Sequence, residues 1–164
     1  MKPTKSIIFI LGLALGLVTL MSSTCNTSGD DQPDPNCNGF AQATLTGYIN
    51  DSYCFDSNPQ YTYDEENQRL NFSSIVTIND IIYSCSVSVY PYTGTQSYSC
   101  DADNPGYVEF IVHGDNNEFY KSQSGTLSIT KADANHLEAS FNVTAKGYYS
   151  DETVNIVGSV MKVQ

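Results

Sequence analysis

From Leu137 to Lys146 the side chains alternate without a break. Leu137, Ala139, Phe141, Val143 and Ala145 share one parity, and Glu138, Ser140, Asn142, Thr144 and Lys146 the other. Successive side chains of extended backbone point to opposite faces, so this pattern describes a strand with one side in a core and one in water. On a helix the same five apolar residues would be spread over two opposite sides. Leu127 and Ile129 alternate in the same way just upstream, and the residues between, Ala132 to Asn135, are turn formers. The stretch predicts a hairpin, and any fold for this chain has to provide a sheet that covers its apolar face.

The rest of the chain repeats the theme. Ala41, Ala43, Leu45, Gly47 and Ile49 alternate with polar residues, as do Ile81, Tyr83, Cys85, Val87 and Val89, and then Val108, Phe110 and Val112 before a polar turn at Gly114 to Asn117. Tyr61 with Tyr63, and Leu70 with Phe72, predict shorter strands, whereas Asn50 to Gln60, with Asp51, Asp56, Asn58 and Pro59, reads as a turn-rich loop. Val154 to Val163 predicts a last strand, in which Val157 and Met161 stand out of phase and Gly158 suggests a bulge or bend. Twelve Tyr and seven Phe suit pleated surfaces. The expected class is all-β, an antiparallel sandwich or barrel of about eight to ten strands, built from residues 40–164 as one domain.

Ahead of that domain the pattern changes. Lys2 and Lys5 precede a fifteen-residue apolar run, Ile7 to Met21, which gives way to Ser22, Ser23, Thr24 and Cys25. A basic start and an apolar core shorter than the roughly 20 residues of a spanning helix describe a signal peptide, residues 1–24. Cys25 just past the core predicts cleavage before it and a lipid on its sulfur, so that the membrane is reached through that lipid. The competing reading is cleavage and release, because Ser22 and Thr24 stand where lipoprotein signals usually carry Leu and a small residue. Residues 25–39, with Gly29, Asp30, Asp31, Pro33, Asp34 and Pro35, read as a flexible acidic tether.

Loss of Lys2 and Lys5 from seven basic residues leaves five against eighteen acids, a formal charge of −13 in place of −11. Such a surface repels phosphate backbones and anionic headgroups, which excludes nucleic acid as a partner. With Cys25 lipidated, four cysteines remain, and an oxidising compartment would pair them. Folding the chain about Pro91, Tyr92, Thr93 and Gly94 sets Tyr90 opposite Thr95 and Cys85 opposite Cys100, predicting a disulfide across a hairpin. Cys37 and Cys54 are left to pair by elimination, with the tether folded back along the first strand.

The run Gly125-Thr-Leu-Ser-Ile-Thr-Lys-Ala-Asp, then Leu137-Glu-Ala-Ser-Phe-Asn-Val-Thr-Ala-Lys, then Val154-Asn-Ile-Val-Gly-Ser-Val resembles a family of small Bacteroidota lipoproteins of unknown function. Ala43-Thr-Leu-Thr-Gly and Tyr92-Thr-Gly-Thr fit the same pattern. The resemblance implies an all-β domain and a place in the cell envelope, lipid-anchored to the outer membrane and facing the periplasm or the surface. It implies no catalytic residue. The acids behind Cys25 also resemble the surface-export signals of such lipoproteins.

Little in the chain points to catalysis, and the sequence predicts no cofactor, no metal and no catalytic residue. His113 and His136 read as exposed strand-end residues, with neither a nucleophile elbow nor a phosphate-cradling glycine loop nearby. Asp101, Asp103, Asn104 and Gly106 resemble half of a calcium loop, but Pro105 and Val112 stand at ligand positions and a turn is the plainer reading. The tyrosines offer two readings. Tyr61 with Tyr63, and Tyr90 with Tyr92, would form a flat platform for a glycan or peptide, or would pack beneath the sheet. Two function classes follow: a non-enzymatic binding or scaffolding domain, or a hydrolase whose Asp115, Glu118 and His113 meet only in the fold.

Overall fold

The computed structural model describes residues 37–163 apart from 102, 115 and 116. Ten strands follow one another: β1 (Ala41–Gly47), β2 (Asp51–Phe55), β3 (Ser57–Asp64), β4 (Arg69–Ile78), β5 (Ile81–Val89), β6 (Ser97–Ser99), β7 (Gly106–His113), β8 (Glu118–Asp133), β9 (His136–Gly147) and β10 (Thr153–Val163). They form one antiparallel sheet in the order β2-β1-β10-β9-β8-β7-β5-β4-β3, with β6 added to β8. The sheet curls into a nearly closed, barrel-like sandwich. Phe55, the last residue of one edge strand, and Ser57, the first of the other, are separated by Asp56 alone. The two edges are therefore a single run of chain. Asn58 takes a left-handed φ of 47° where the β3–β4 register shifts, and Ser74 Oγ, fully buried, donates to Ser57 O at 2.8 Å across that corner.

The late hairpin forms as its pattern requires. Leu127 lies opposite Phe141 and Ile129 opposite Ala139, and all five residues of the apolar parity of β9 are buried. At β10 the expectation of a bulge gives way. Val154, Ile156, Gly158 and Val160 face inward in unbroken register with both neighbours, and Met161 faces out. Gly158 serves packing: a Cβ there would lie 2.7 Å from Phe141 Cε2, so its bare backbone is the seat of the Phe141 ring.

The expected loop at residues 50–60 is mostly strand. Tyr53 and Phe55 alternate inward on β2 and outweigh the turn formers around them, because each ring has the barrel interior to fill. Tyr53 packs on Tyr83 and Phe110 at centroid distances of 4.7 and 4.9 Å, joining β2 to β5 and β7 across the barrel. Phe55 and Tyr120 reach Phe110 as well, at 6.2 and 6.5 Å.

Cys37 and Cys54 form a disulfide, with Cα atoms 5.4 Å apart and the lead-in laid along β2 so that Phe40 N donates to Phe55 O. Cys85 and Cys100 are free thiols, both fully buried, and the expected hairpin between them is absent. The partners of β5 are β4 and β7, while β6 pairs with β8. Tyr92 is buried and draws residues 90–101 down over the barrel end, and the Tyr98 hydroxyl accepts from Thr93 N while donating to Gly94 O. The segment is a wide loop rather than a tight turn. Cys100 Sγ rests against Gly106, whose strand partner is Val89, four residues along β5 from Cys85. Four residues of strand span about 13 Å, twice the reach of a disulfide. Parity of the cysteines therefore does not carry over into pairing.

Candidate functional site

Because every neighbour in the sheet is antiparallel, the connections sort to two ends. Residues 48–50, 79–80, Gly114 with Asn117, and 148–152 lie at one, and the entry at Cys37 with residues 65–68, 90–101, 103–105 and 134–135 at the other. Among the described residues, most of the large apolar side chains left in water belong to the first end: Tyr48 (60% exposed), Tyr148 (69%), Tyr149 (68%), Ile78, Ile81 and Ile82. Of these only Ile81 fell in an alternating run, and its place at the start of β5 leaves it exposed; alternation finds buried faces and passes over loop tips. Tyr148-Tyr149 after an unbroken strand was the available signal, two adjacent rings that cannot both enter one core.

The loops that hold these rings are tied down. Both carboxylate oxygens of Glu118 accept backbone N–H groups of the 148–150 turn, from Tyr149 at 3.0 Å and Ser150 at 3.1 Å. Tyr148 N donates to Phe119 O and Gly147 N to Glu152 O. With the backbone facing inward in this way, the two rings are turned outward. They stand perpendicular, with centroids 4.8 Å apart and an interplanar angle of 89°, and Tyr149 meets Phe119 at 6.4 Å. Across the end, Asn50 closes the 48–50 turn by bonding both N and O of Gly47, and Tyr48 N reaches Thr153 O. Tyr53, Tyr83 and Tyr120 lie beneath; burial, with Asp51 adding to it, pushes the Tyr53 hydroxyl well above the usual phenol range. Around the rings are Asp51, Asp80, Asp151 and Glu152, all exposed, and Lys146 bridges Asp151.

The sequence-predicted platform is not a platform. Tyr61 and Tyr63 are half-buried, Tyr92 is buried, and only Tyr90 is largely exposed, with the Arg69 guanidinium 5.3 Å from its ring centroid. Tyr61 donates to Asp133 O at 2.8 Å, tying β3 to the β8–β9 turn, while Tyr63 meets Tyr92 edge-on at 5.8 Å. These rings work as packing, and Tyr90 stands apart on the outside.

The histidines are likewise engaged. His136 Nδ1 stands 2.9 Å from Lys131 Nζ and Nε2 2.8 Å from Glu138 Oε1, a string along the β8–β9 hairpin. His113 Nε2 and Ser84 Oγ are 3.1 Å apart on the outer face of β5 and β7. A base beside a hydroxyl is the start of a nucleophilic pair, but among the described residues no partner orients the other ring nitrogen. Asp115 and Cys25 lie outside the described residues. Glu118 turns to the 148–150 backbone, not to His113. Asp101 closes its own turn by accepting from Asn104 Nδ2, Asp103 N and Ser99 Oγ, which holds its carboxyl below the usual range. Among the described residues no three His, Cys, Asp or Glu side chains are grouped to hold a metal ion.

No protein-family model, curated protein or solved structure matches the chain.

Proposed function

We propose that this chain is a lipid-anchored protein of the cell envelope whose β-domain works by binding or scaffolding rather than by catalysis. The observation that carries the reading is the order of parts: a basic start, an apolar run, Cys25, an acidic spacer, then one β-domain. The path of the chain supports it. The described residues begin at Cys37, so the tether joins the domain at the barrel end away from Tyr48, Tyr148 and Tyr149. The resemblance to small Bacteroidota lipoproteins supports an anchor in the outer membrane, facing the periplasm or the surface.

Intact-mass measurement of membrane-extracted protein tests this. A chain beginning at Cys25 and carrying acyl mass is the expected result; a soluble product with a free Cys25 thiol overturns the anchor. A hydrolase is the second reading, and its support is the Ser84–His113 contact. Labelling of Ser84 by a fluorophosphonate, lost in Ser84→Ala, would favour it over binding.

A further inference from the structure

The exposed end of the barrel has two properties that together select a ligand chemistry. Tyr148 and Tyr149 stand perpendicular rather than coplanar. A sugar stacks on a flat aromatic face, and two rings at right angles deny it a continuous one; a cation needs only ring faces around it, as in aromatic cages. The rim supplies the matching charge, since Asp51 and Glu152 are exposed acids and Asp151 shares only Lys146. A second copy of a chain of net charge −11 would bring like charges together here, and an anionic bilayer would be repelled. We propose that this end docks a cationic, Lys/Arg-bearing segment of a partner protein, its side chains over Tyr48, Tyr148 and Tyr149 and its charge met by Asp51, Asp151 and Glu152.

The loops are preorganised for this. Glu118 spends its charge on the 148–150 backbone, so the rings are held splayed before any ligand arrives, and little ordering cost remains to be met on binding. The inference deepens the reading of the domain as a binding module and is independent of the lipid on Cys25.

The test is a titration of the full chain, in non-ionic detergent, with octa-arginine as the probe and octa-glutamate as control, followed by amide chemical shifts. Octa-arginine should shift residues 48–50, 118–119 and 148–152. Tyr148→Ala with Tyr149→Ala should weaken binding by about tenfold or more, whereas Tyr90→Ala, at the opposite end, should leave it unchanged. Asp151→Asn with Glu152→Gln should weaken it by about threefold and flatten its salt dependence. All the substituted side chains are largely exposed, and an unchanged melting temperature verifies that each variant is folded. Shifts spread over the whole acidic surface and indifferent to the tyrosines would overturn the proposal. So would maltohexaose shifting these residues when octa-arginine does not, or a dimer abolished by Tyr148→Ala. Failure of the lipid-mass measurement would leave this result standing, and failure here would leave the anchor standing.

Discussion

The hairpin of β8 and β9 and the segment from β5 to β6 begin from the same kind of sequence and end differently. In both, alternation gives the buried face correctly: Leu127, Ile129, Phe141 and Val143 face inward in one, Cys85, Val87 and Val89 in the other. The strands β8 and β9 are joined by two residues, Ala134 and Asn135, and Asp133 lies opposite His136. Seven residues part β5 from β6, and they bury Tyr92 instead of turning tightly. Parity decides which side of a strand is apolar. Only a short connection decides which strand lies beside it, because a longer one has room to spend its residues on contacts of its own.

The sharpest way to break this comparison is at Phe141. Its ring is buried over Gly158, so Phe141→Ala should lower the unfolding free energy by about 3 to 5 kcal/mol. Asn142→Ala, on the exposed face one residue on, should change it by less than about 0.5 kcal/mol in the same denaturant titration. Comparable losses at both positions would put the face assignment in error.

A second set of measurements addresses the cysteines. Non-reducing peptide mapping should find Cys37 linked to Cys54 and should find Cys85 and Cys100 alkylated only after denaturation. Reduction should cost about 3 kcal/mol, the chain-entropy value for a loop of this size. A Cys85–Cys100 peptide would restore the tight hairpin.

Alkaline pH sharpens the same contrast, since burial pushes the Cys85 thiol up to about 12 and the Cys100 thiol, with Asp101 beside it, to about 11. An unfolded thiol loses its proton near pH 8.5, so above about pH 9 the unfolded chain releases protons that the folded one keeps. Stability should therefore be unaffected by these groups below that point and fall above it, by about 1.4 kcal/mol per pH unit for each thiol until the folded group ionises. Cys85→Ala should make the slope shallower. A smaller loss is expected of Tyr61→Phe, which removes the bond to Asp133 O and should cost about 1 kcal/mol in the same denaturant titration.

How much of this was legible follows from what each residue competes with. The strands of the core could be read wherever apolar parity ran for five positions, as in β1, β5 and β9. Residues 51–55 were misread because Asp51, Ser52 and Asp56 are turn formers locally, and the pull on Tyr53 and Phe55 comes from Tyr83 and Phe110, distant in sequence. Gly158 was misread for a related reason: its partner is a ring seventeen residues upstream. The tyrosines that alternate, Tyr61 and Tyr63, turned out to be packing, and those that do not, Tyr48, Tyr148 and Tyr149, form the exposed end. Surface aromatics leave no periodic trace because nothing packs them in register.

The Cys37–Cys54 disulfide also decides how the domain bears tension. A pull on the chain ahead of Cys37 crosses from Sγ to Sγ and continues from Cys54 into Phe55. Residues 38–53, which include all of β1, sit in a covalent loop outside that path. Strand β1 can thus stay paired with β10 while the load is taken up at the corner around Asp56, where the two edges of the sheet meet.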